Sequence, residues 1–285
     1  MNIKLFTNKL LRAYKCAVEG WKFGGITHVQ ISEVKWGGVF SDNDVILVSG
    51  GSKGIGLSIT KKLLKEGATV IATGRDYSKL KELIAEIDNE NFHIVELDIS
   101  KTNDIDEKIN QVEGIIGKPI TALVNNAGVY SKTSFPNSTE EDVSKVFSTN
   151  AMGTLFLSEA MCRRWNKTRS GKVRKIINIS SQGGFVGANN AYRMSKWAIR
   201  GLTEYMGTAF SSENIIVNGV APGIILTDMQ PQFQKQGDNM YTDYNPVKRV
   251  ALPAEIAELV TFLLTDAANF IVGQTICCDG GYSLK

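Results

Sequence analysis

The chain predicts an α/β fold built on a doubly wound parallel sheet, and three observations carry that prediction. Short strand-like runs alternate with helical patterns from Asp44 onward. Several of those runs are apolar on both parities, as strands covered by helices on both faces must be. A glycine-rich turn, Val48-Ser-Gly-Gly-Ser-Lys-Gly-Ile-Gly56, sits between the first run and a helical pattern.

In chain order, Asp44 to Ser49 reads as a buried strand, and Gly50, Gly54 and Gly56 follow at GxxxGxG spacing. Helical periodicity then runs from Ile55 to Leu64. Without Cβ atoms the turn lets a pyrophosphate approach the backbone, and the helix N-terminus offers it free N–H groups and partial positive charge. Further strands are expected at Thr69 to Thr73, Phe92 to Leu97, Thr121 to Asn125, Lys175 to Ser180, Ile215 to Ala221 and Thr275 to Cys278. Ligands of such a sheet bind at the strands' carboxyl ends.

Composition narrows the function. With 285 residues and 43% hydrophobic content, the chain can bury one ordinary core without disulfides. The four cysteines, Cys16, Cys162, Cys277 and Cys278, form no CxxC pair and read as reduced packing residues, which suits a cytoplasmic protein. His28 and His93 have no metal-site spacing, so metal catalysis is not expected. No apolar run approaches the roughly 18 to 20 residues that span a bilayer, and no signal-peptide core is evident. A net charge of +3 without aromatic interleaving argues against nucleic-acid binding.

Tyr192 and Lys196 stand at i and i+4 on a later helical pattern and share a face. Reducing a ketone by hydride creates an alkoxide, so a positioned acid must deliver a proton as charge develops. Tyr192 can be that acid, its pKa of about 10 expected to fall beside an ammonium. Ser181 ends the preceding strand and can hold the substrate oxygen; Ser180 beside it is the alternative.

These residues, with Asp98, Asn125-Asn-Ala-Gly128, Asn150, Pro222-Gly223 and Asp279-Gly-Gly281, resemble the classical short-chain dehydrogenase/reductase family from about Asp44 to Tyr282. The resemblance implies a Rossmann-type sheet of about seven strands and hydride transfer at a carbonyl or alcohol carbon. By resemblance, Asn150, Ser181, Tyr192 and Lys196 form the catalytic set, with Asn150 supporting a water that connects to the lysine. Gly50, Ser52, Lys53, Gly54, Ile55 and Gly56 would cradle the phosphates, and Asp98 and Ile99 would flank the adenine. Asn126, Ala127 and Gly128 would hold the ribose side. Ile225 and Thr227 would contact the nicotinamide end, and Tyr192, Lys196, Pro222 and Gly223 would also bind the cofactor.

Cofactor choice rests on the end of the second strand, where Thr73 stands in place of an acid and Arg75 follows. Arg75 and Lys53 can converge on a 2′-phosphate, which favours NADP(H) over NAD(H). Asp76 dissents, because it can turn toward the ribose or pair with Arg75. The reading is therefore an NADP(H)-dependent oxidoreductase. Its alternatives are a silent nucleotide-sensing or scaffold protein on the same fold, and a sugar or polyol dehydrogenase using NAD(H).

Residues 44–285 read as one catalytic domain, with a substrate lid at about 228–249 carrying Met229, Phe233, Met240, Tyr241 and Tyr244. A surface loop with packing anchors explains the same composition. The chain resembles carrier-protein-linked 3-oxoacyl reductases overall, which dock an acidic carrier near the site entrance. The basic run Arg163, Arg164, Lys167, Arg169, Lys172, Arg174 and Lys175 is a candidate for that partner, or a solvated helix end. A homodimer or homotetramer follows from family habit.

Residues 1–43 form an extension beyond the resemblance. Leu5, Leu10, Leu11, Tyr14, Val18 and Trp21 give an apolar stripe among Lys4, Lys9, Arg12, Lys15 and Lys22, as in an amphipathic helix. Thr27 to Trp36 alternates roughly, as one added strand would. The extension carries six cations and three acids, which is compatible with a weak membrane-surface contact. Packing on its own domain or on a neighbouring subunit is the preferred expectation.

Overall fold

A computed structural model describes residues 10, 11, 13–15, 17, 18, 21, 29, 31–168, 171–229 and 240–284. Its centre is a seven-stranded sheet in the order β3-β2-β1-β4-β5-β6-β7. The strands are β1 (Val45–Val48), β2 (Thr69–Gly74), β3 (Phe92–Glu96), β4 (Ala122–Asn125), β5 (Arg174–Ile179), β6 (Ile215–Pro222) and β7 (Thr275–Cys278). Every neighbouring pair is parallel. Each of the seven strands expected from Asp44 onward forms within a residue or two of its predicted limits.

The helices that follow are α1 (Gly54–Lys65), α2 (Tyr77–Ile87), α3 (Ile105–Ile116), α4 (Glu140–Phe147), α5 (Thr154–Thr168), α6 (Ala191–Phe210) and α7 (Pro253–Leu264). Alternation along β1 divides the core. Ile46 and Val48 face one layer with Ile59 and Leu63 of α1, Leu80 of α2 and Val260 of α7. Val45 and Leu47 face the other, with Ile109 of α3, Leu157 of α5 and Met206 of α6. This period of two explains why the strands look apolar on both parities in the sequence.

The order reverses between β1 and β4, and the glycine turn opens at that switch point. Gly50 has φ 65°, and a Cβ there would lie 2.9 Å from the Ala127 Cα. A Cβ on Gly56 would meet the Gly50 carbonyl oxygen at 2.2 Å. Both positions therefore exclude a side chain, because turn and helix pass in backbone contact.

Among the described residues of the expected added strand, 29 and 31–36, no strand structure is present; residues 27, 28 and 30 lie outside the description. Residues 33–40 run instead as a strap over α1 and α7. The Lys62 ammonium donates to the Val34 carbonyl at 2.8 Å, Glu33 pairs with Lys65, and Trp36 stacks on Phe262 at 6.3 Å. The strap is thus held by the Val34 backbone, the Glu33 carboxylate and the Trp36 ring rather than by a sheet edge. The described positions from 10 to 21 are helical.

Candidate active site

The carboxyl ends of the strands enclose a cavity of about 760 Å³. It runs from Arg75 and Lys53 past the glycine turn to Ser181, Tyr192 and Lys196. Among the predicted residues, Gly50, Ser52, Lys53, Gly54, Ile55, Arg75, Asp98, Ile99, Asn126, Ala127, Gly128, Ser181, Tyr192, Lys196, Pro222, Gly223, Ile225 and Thr227 all line it. Gly56 and Asn150 do not; they lie one layer behind, against Gly50 and Val129.

At the nucleotide end, α1 begins at Gly54 with Lys53 at its cap position. No side-chain cap and no acid occupy its first turn. Its leading N–H groups are therefore unsatisfied by the chain's own side chains, and they face a cavity with cations at the rim. These residues fit a nucleotide diphosphate. Asp76 is already engaged: its carboxylate caps α2, accepting from the Lys79 N–H at 3.2 Å. Lys79 also lines the cavity and had no signal in the motif, because it is one exposed lysine among several on a helix.

At the opposite end, α6 presents the tyrosine and lysine. Asn190 caps this helix by accepting from the Arg193 N–H at 2.9 Å, and the Tyr192 N–H donates to the Ser131 hydroxyl at 2.8 Å. One turn on, Lys196 is 5% exposed; its ammonium donates to the Ile179 carbonyl at 2.8 Å and lies 5.5 Å from the Tyr192 ring centroid. Burial depresses this lysine to about 8. Burial pushes the Tyr192 phenol up, its hydrogen bond with Ser181 pulls it back, and Tyr130 adds to the rise. Burial of the phenol, which spacing alone does not reveal, therefore sets the direction of the shift.

Ser181 rather than Ser180 is available to a ligand. The Ser180 hydroxyl is committed to the Lys196 carbonyl at 2.9 Å, whereas Ser181 accepts only from the Gly183 N–H at 3.1 Å besides meeting Tyr192. Asn150 lies in a π-helical turn, Ser148–Gly153, and is 1% exposed. Its amide accepts from the Val129 N–H at 2.8 Å and donates to the Val129 carbonyl and the Ser195 hydroxyl, each at 3.0 Å. Both amide hydrogens are used, so in this geometry the side chain braces the segment after β4. Ser195 closes the link by donating to the Tyr192 carbonyl at 2.7 Å.

Besides Lys79, several cavity residues escaped the sequence reading, Tyr130 and Val129 among them. Tyr130, 47% exposed, lies 4.7 Å from the Tyr192 ring, and Val129 adjoins it. Only the fold brings the loop after β4 against α6.

Arg169 of the basic run lies outside the described residues, and several of the others are engaged away from the cavity. Arg163 and Arg164 each pair with Asp106 at 3.1 Å, and Arg164 also reaches Glu113 at 3.4 Å. Lys175 is 4% exposed and caps the end of α7 through the Leu263 and Thr265 carbonyls. The run spans the end of α5 and the start of β5, one strand length from Ser181. Among the described residues, none of the run lines the cavity.

Of the lid, residues 230–239, including Phe233, lie outside the described residues. Met229 lines the cavity, and Tyr241, Thr242 and Asn245 are buried as packing anchors, whereas Tyr244 and Val247 are exposed. Tyr241 is 7% exposed, the Asn245 amide donates to the Arg249 carbonyl at 2.8 Å, and Arg249 binds Glu255 through two bonds of 2.8 and 2.7 Å.

A nucleotide cradle and a tyrosine–lysine pair on one cavity define an oxidoreductase working at a CH–OH or C=O carbon with a nicotinamide cofactor. Comparison with known proteins gives the same class. A sequence profile for the family described as Enoyl-(Acyl carrier protein) reductase matches residues 50–283. The 3-oxoacyl-(acyl-carrier-protein) reductase FabG of Aquifex aeolicus is 33% identical over 242 residues, covering 83% of this chain and 96% of the relative. An L-xylulose reductase of Caenorhabditis elegans is 32% identical, covering 84% and 95%. Among solved structures, a gluconate 5-dehydrogenase from Burkholderia cenocepacia in complex with NADP and tartrate superposes with a TM-score of 0.78 at 25% identity, covering 87% and 98%. The chain belongs to the short-chain dehydrogenase/reductase family, on its 3-oxoacyl-(acyl-carrier-protein) reductase-like side.

Proposed function

We propose that this protein is an NADPH-preferring carbonyl reductase in which Tyr192 delivers the proton. One observation carries the reading: Ser181, Tyr192 and Lys196 line the same cavity whose far rim holds Lys53, Arg75 and Lys79. When bound, the cofactor supplies a hydride to the carbonyl carbon. Ser181 and the Tyr192 hydroxyl hold the carbonyl oxygen, and the phenol transfers its proton as that oxygen becomes anionic. A phenol raised by burial is fully protonated near neutrality, the form that reduction needs. Lys196, held on the Ile179 carbonyl, supplies positive charge behind the ring. Asn150 and Ser195 act by positioning.

Three features support NADPH over NADH. Arg75 offers a planar fork to a 2′-phosphate, Lys53 and Lys79 add charge, and Asp76 is held at the cap of α2. The substrate reading is a ketone with an apolar flank against Tyr130 and Met229. A 3-oxoacyl thioester meets that description, and the named relative FabG acts on the carrier-bound form. Three free cysteines, Cys162, Cys277 and Cys278, accompany a cytoplasmic reading, and a homo-oligomer belongs to the same proposal.

The test supplies the purified protein with a panel of ketones, including 3-oxoacyl thioesters, and either NADPH or NADH. Consumption of NADPH with a preference of tenfold or more, about 1.4 kcal/mol, is expected. Preference for NADH would reassign the ribose end to Asp76. Cofactor binding without turnover on any ketone would favour a silent nucleotide-binding role.

A further inference from the structure

The described helical positions between residues 10 and 21 carry an apolar stripe that the catalytic domain does not cover. Leu10, Leu11, Tyr14 and Trp21 are helical and are 56%, 58%, 68% and 84% exposed. At 100° per residue, these four with Ala17 and Val18 fall within an arc of about 120°. Six side chains on a third of the circumference are a designed face, and none is consumed by the strap that follows. That strap makes its own attachment through Glu33, Val34, Trp36 and Phe40, which contact α1 and α7.

Charge tells what the stripe meets. Residues 1–22 hold five cations, Lys4, Lys9, Arg12, Lys15 and Lys22, against the single acid Glu19. With the whole chain at +3, the remaining residues are net −1, so the positive charge of the protein is concentrated in this segment. On the helical projection Lys15 lies just outside the apolar arc, where its stem can follow the stripe while its ammonium reaches polar surroundings. Tyr14 and Trp21 are aromatic groups with one polar edge, suited to the headgroup level of a bilayer. Among the described residues no helix is long and apolar enough to cross a membrane. A helix with this pattern lies in the interface.

We propose that the segment around residues 10–21 is an interfacial helix that binds an anionic phospholipid surface and carries the reductase with it. The apolar stripe enters the boundary of headgroups and acyl chains, and the cations face the anionic headgroups. One short helix gives reversible attachment. A substrate with a long acyl chain would then be met where it partitions.

The experiment is co-sedimentation of the full chain with phosphatidylcholine vesicles and with vesicles also containing phosphatidylglycerol. It is run at low and raised salt, beside the variant Leu11→Glu/Trp21→Glu. Binding to the anionic vesicles that falls about tenfold or more in neutral vesicles, in raised salt and in the variant is expected. Cofactor titration of the variant should match the parent, which shows that the domain is folded. Equal binding to both vesicles, no binding by the parent, or a variant that binds like the parent would each overturn the proposal. Sedimentation velocity supplies the competing outcome: an assembly of the parent that the variant dissolves would mean that a second copy covers the stripe, and would overturn lipid binding.

Discussion

The ring of Tyr130 lies 4.7 Å from that of Tyr192 at an interplanar angle of 42°, so the proposed proton donor has an aromatic wall over one face. Such pairs contribute about 0.5–1.5 kcal/mol beyond area burial. Tyr130→Ala is therefore expected to lower kcat/KM by about tenfold, and Tyr130→Phe to stay within about threefold. Steady-state kinetics on both variants check this; equal losses would mean that the Tyr130 hydroxyl, not its ring, matters.

Lys196 sets the expected pH dependence. Burial brings it to about 8, so its ammonium is present at neutrality and is lost as pH rises through that value. The Tyr192 phenol, pushed up, keeps its proton over the same interval. The kcat/KM for the cofactor, which reports the free enzyme, should be flat near pH 7 and fall with a limb near 8. A profile flat to pH 10 would remove Lys196 from that role.

Glycine substitutions separate cradle from scaffold. At Gly56 an added Cβ meets the Gly50 carbonyl at 2.2 Å and the Asn126 amide nitrogen at 2.5 Å, so Gly56→Ala should cost roughly 2–4 kcal/mol and weaken cofactor binding. Gly114 in α3 has nothing within 4 Å of its built Cβ, and Gly114→Ala should stabilise by about 0.5–1 kcal/mol. Thermal unfolding of the two variants gives opposite signs if the packing is as described.

The buried Lys62 joins α1, α7 and the strap, meeting Glu66 at 3.0 Å, Glu258 at 2.8 Å and the Val34 carbonyl at 2.8 Å. Lys62→Ala leaves two carboxylates without their cation and should cost about 3–5 kcal/mol in denaturant unfolding. Its partners raise the folded pKa above the ordinary 10.5 despite burial. Its contribution is therefore fully present below 10.5 and fades only at higher pH.

The strands and the Tyr192, Lys196 and Ser181 positions were legible because each signal is local: period two, one helical turn, one strand end. Contacts between distant segments were not. The alternation at Ile31 and Val34 looked like a strand, yet the Val34 carbonyl is occupied by the Lys62 ammonium from α1. The sequence left the basic run open between a docking surface and a solvated helix end because two of its acids, Asp106 and Glu113, belong to another helix. Tyr130 was invisible because a residue two positions past a glycine has no pattern of its own. The phenol's upward shift escaped because spacing reveals a neighbouring charge but not burial.

The most direct test is Tyr192→Phe, followed by NADPH fluorescence titration and by ketone reduction on the same preparation. The account predicts cofactor affinity within about twofold of the parent and turnover lowered by about a hundredfold or more. Turnover that survives the loss of this single hydroxyl would contradict the assignment of Tyr192 as the proton donor.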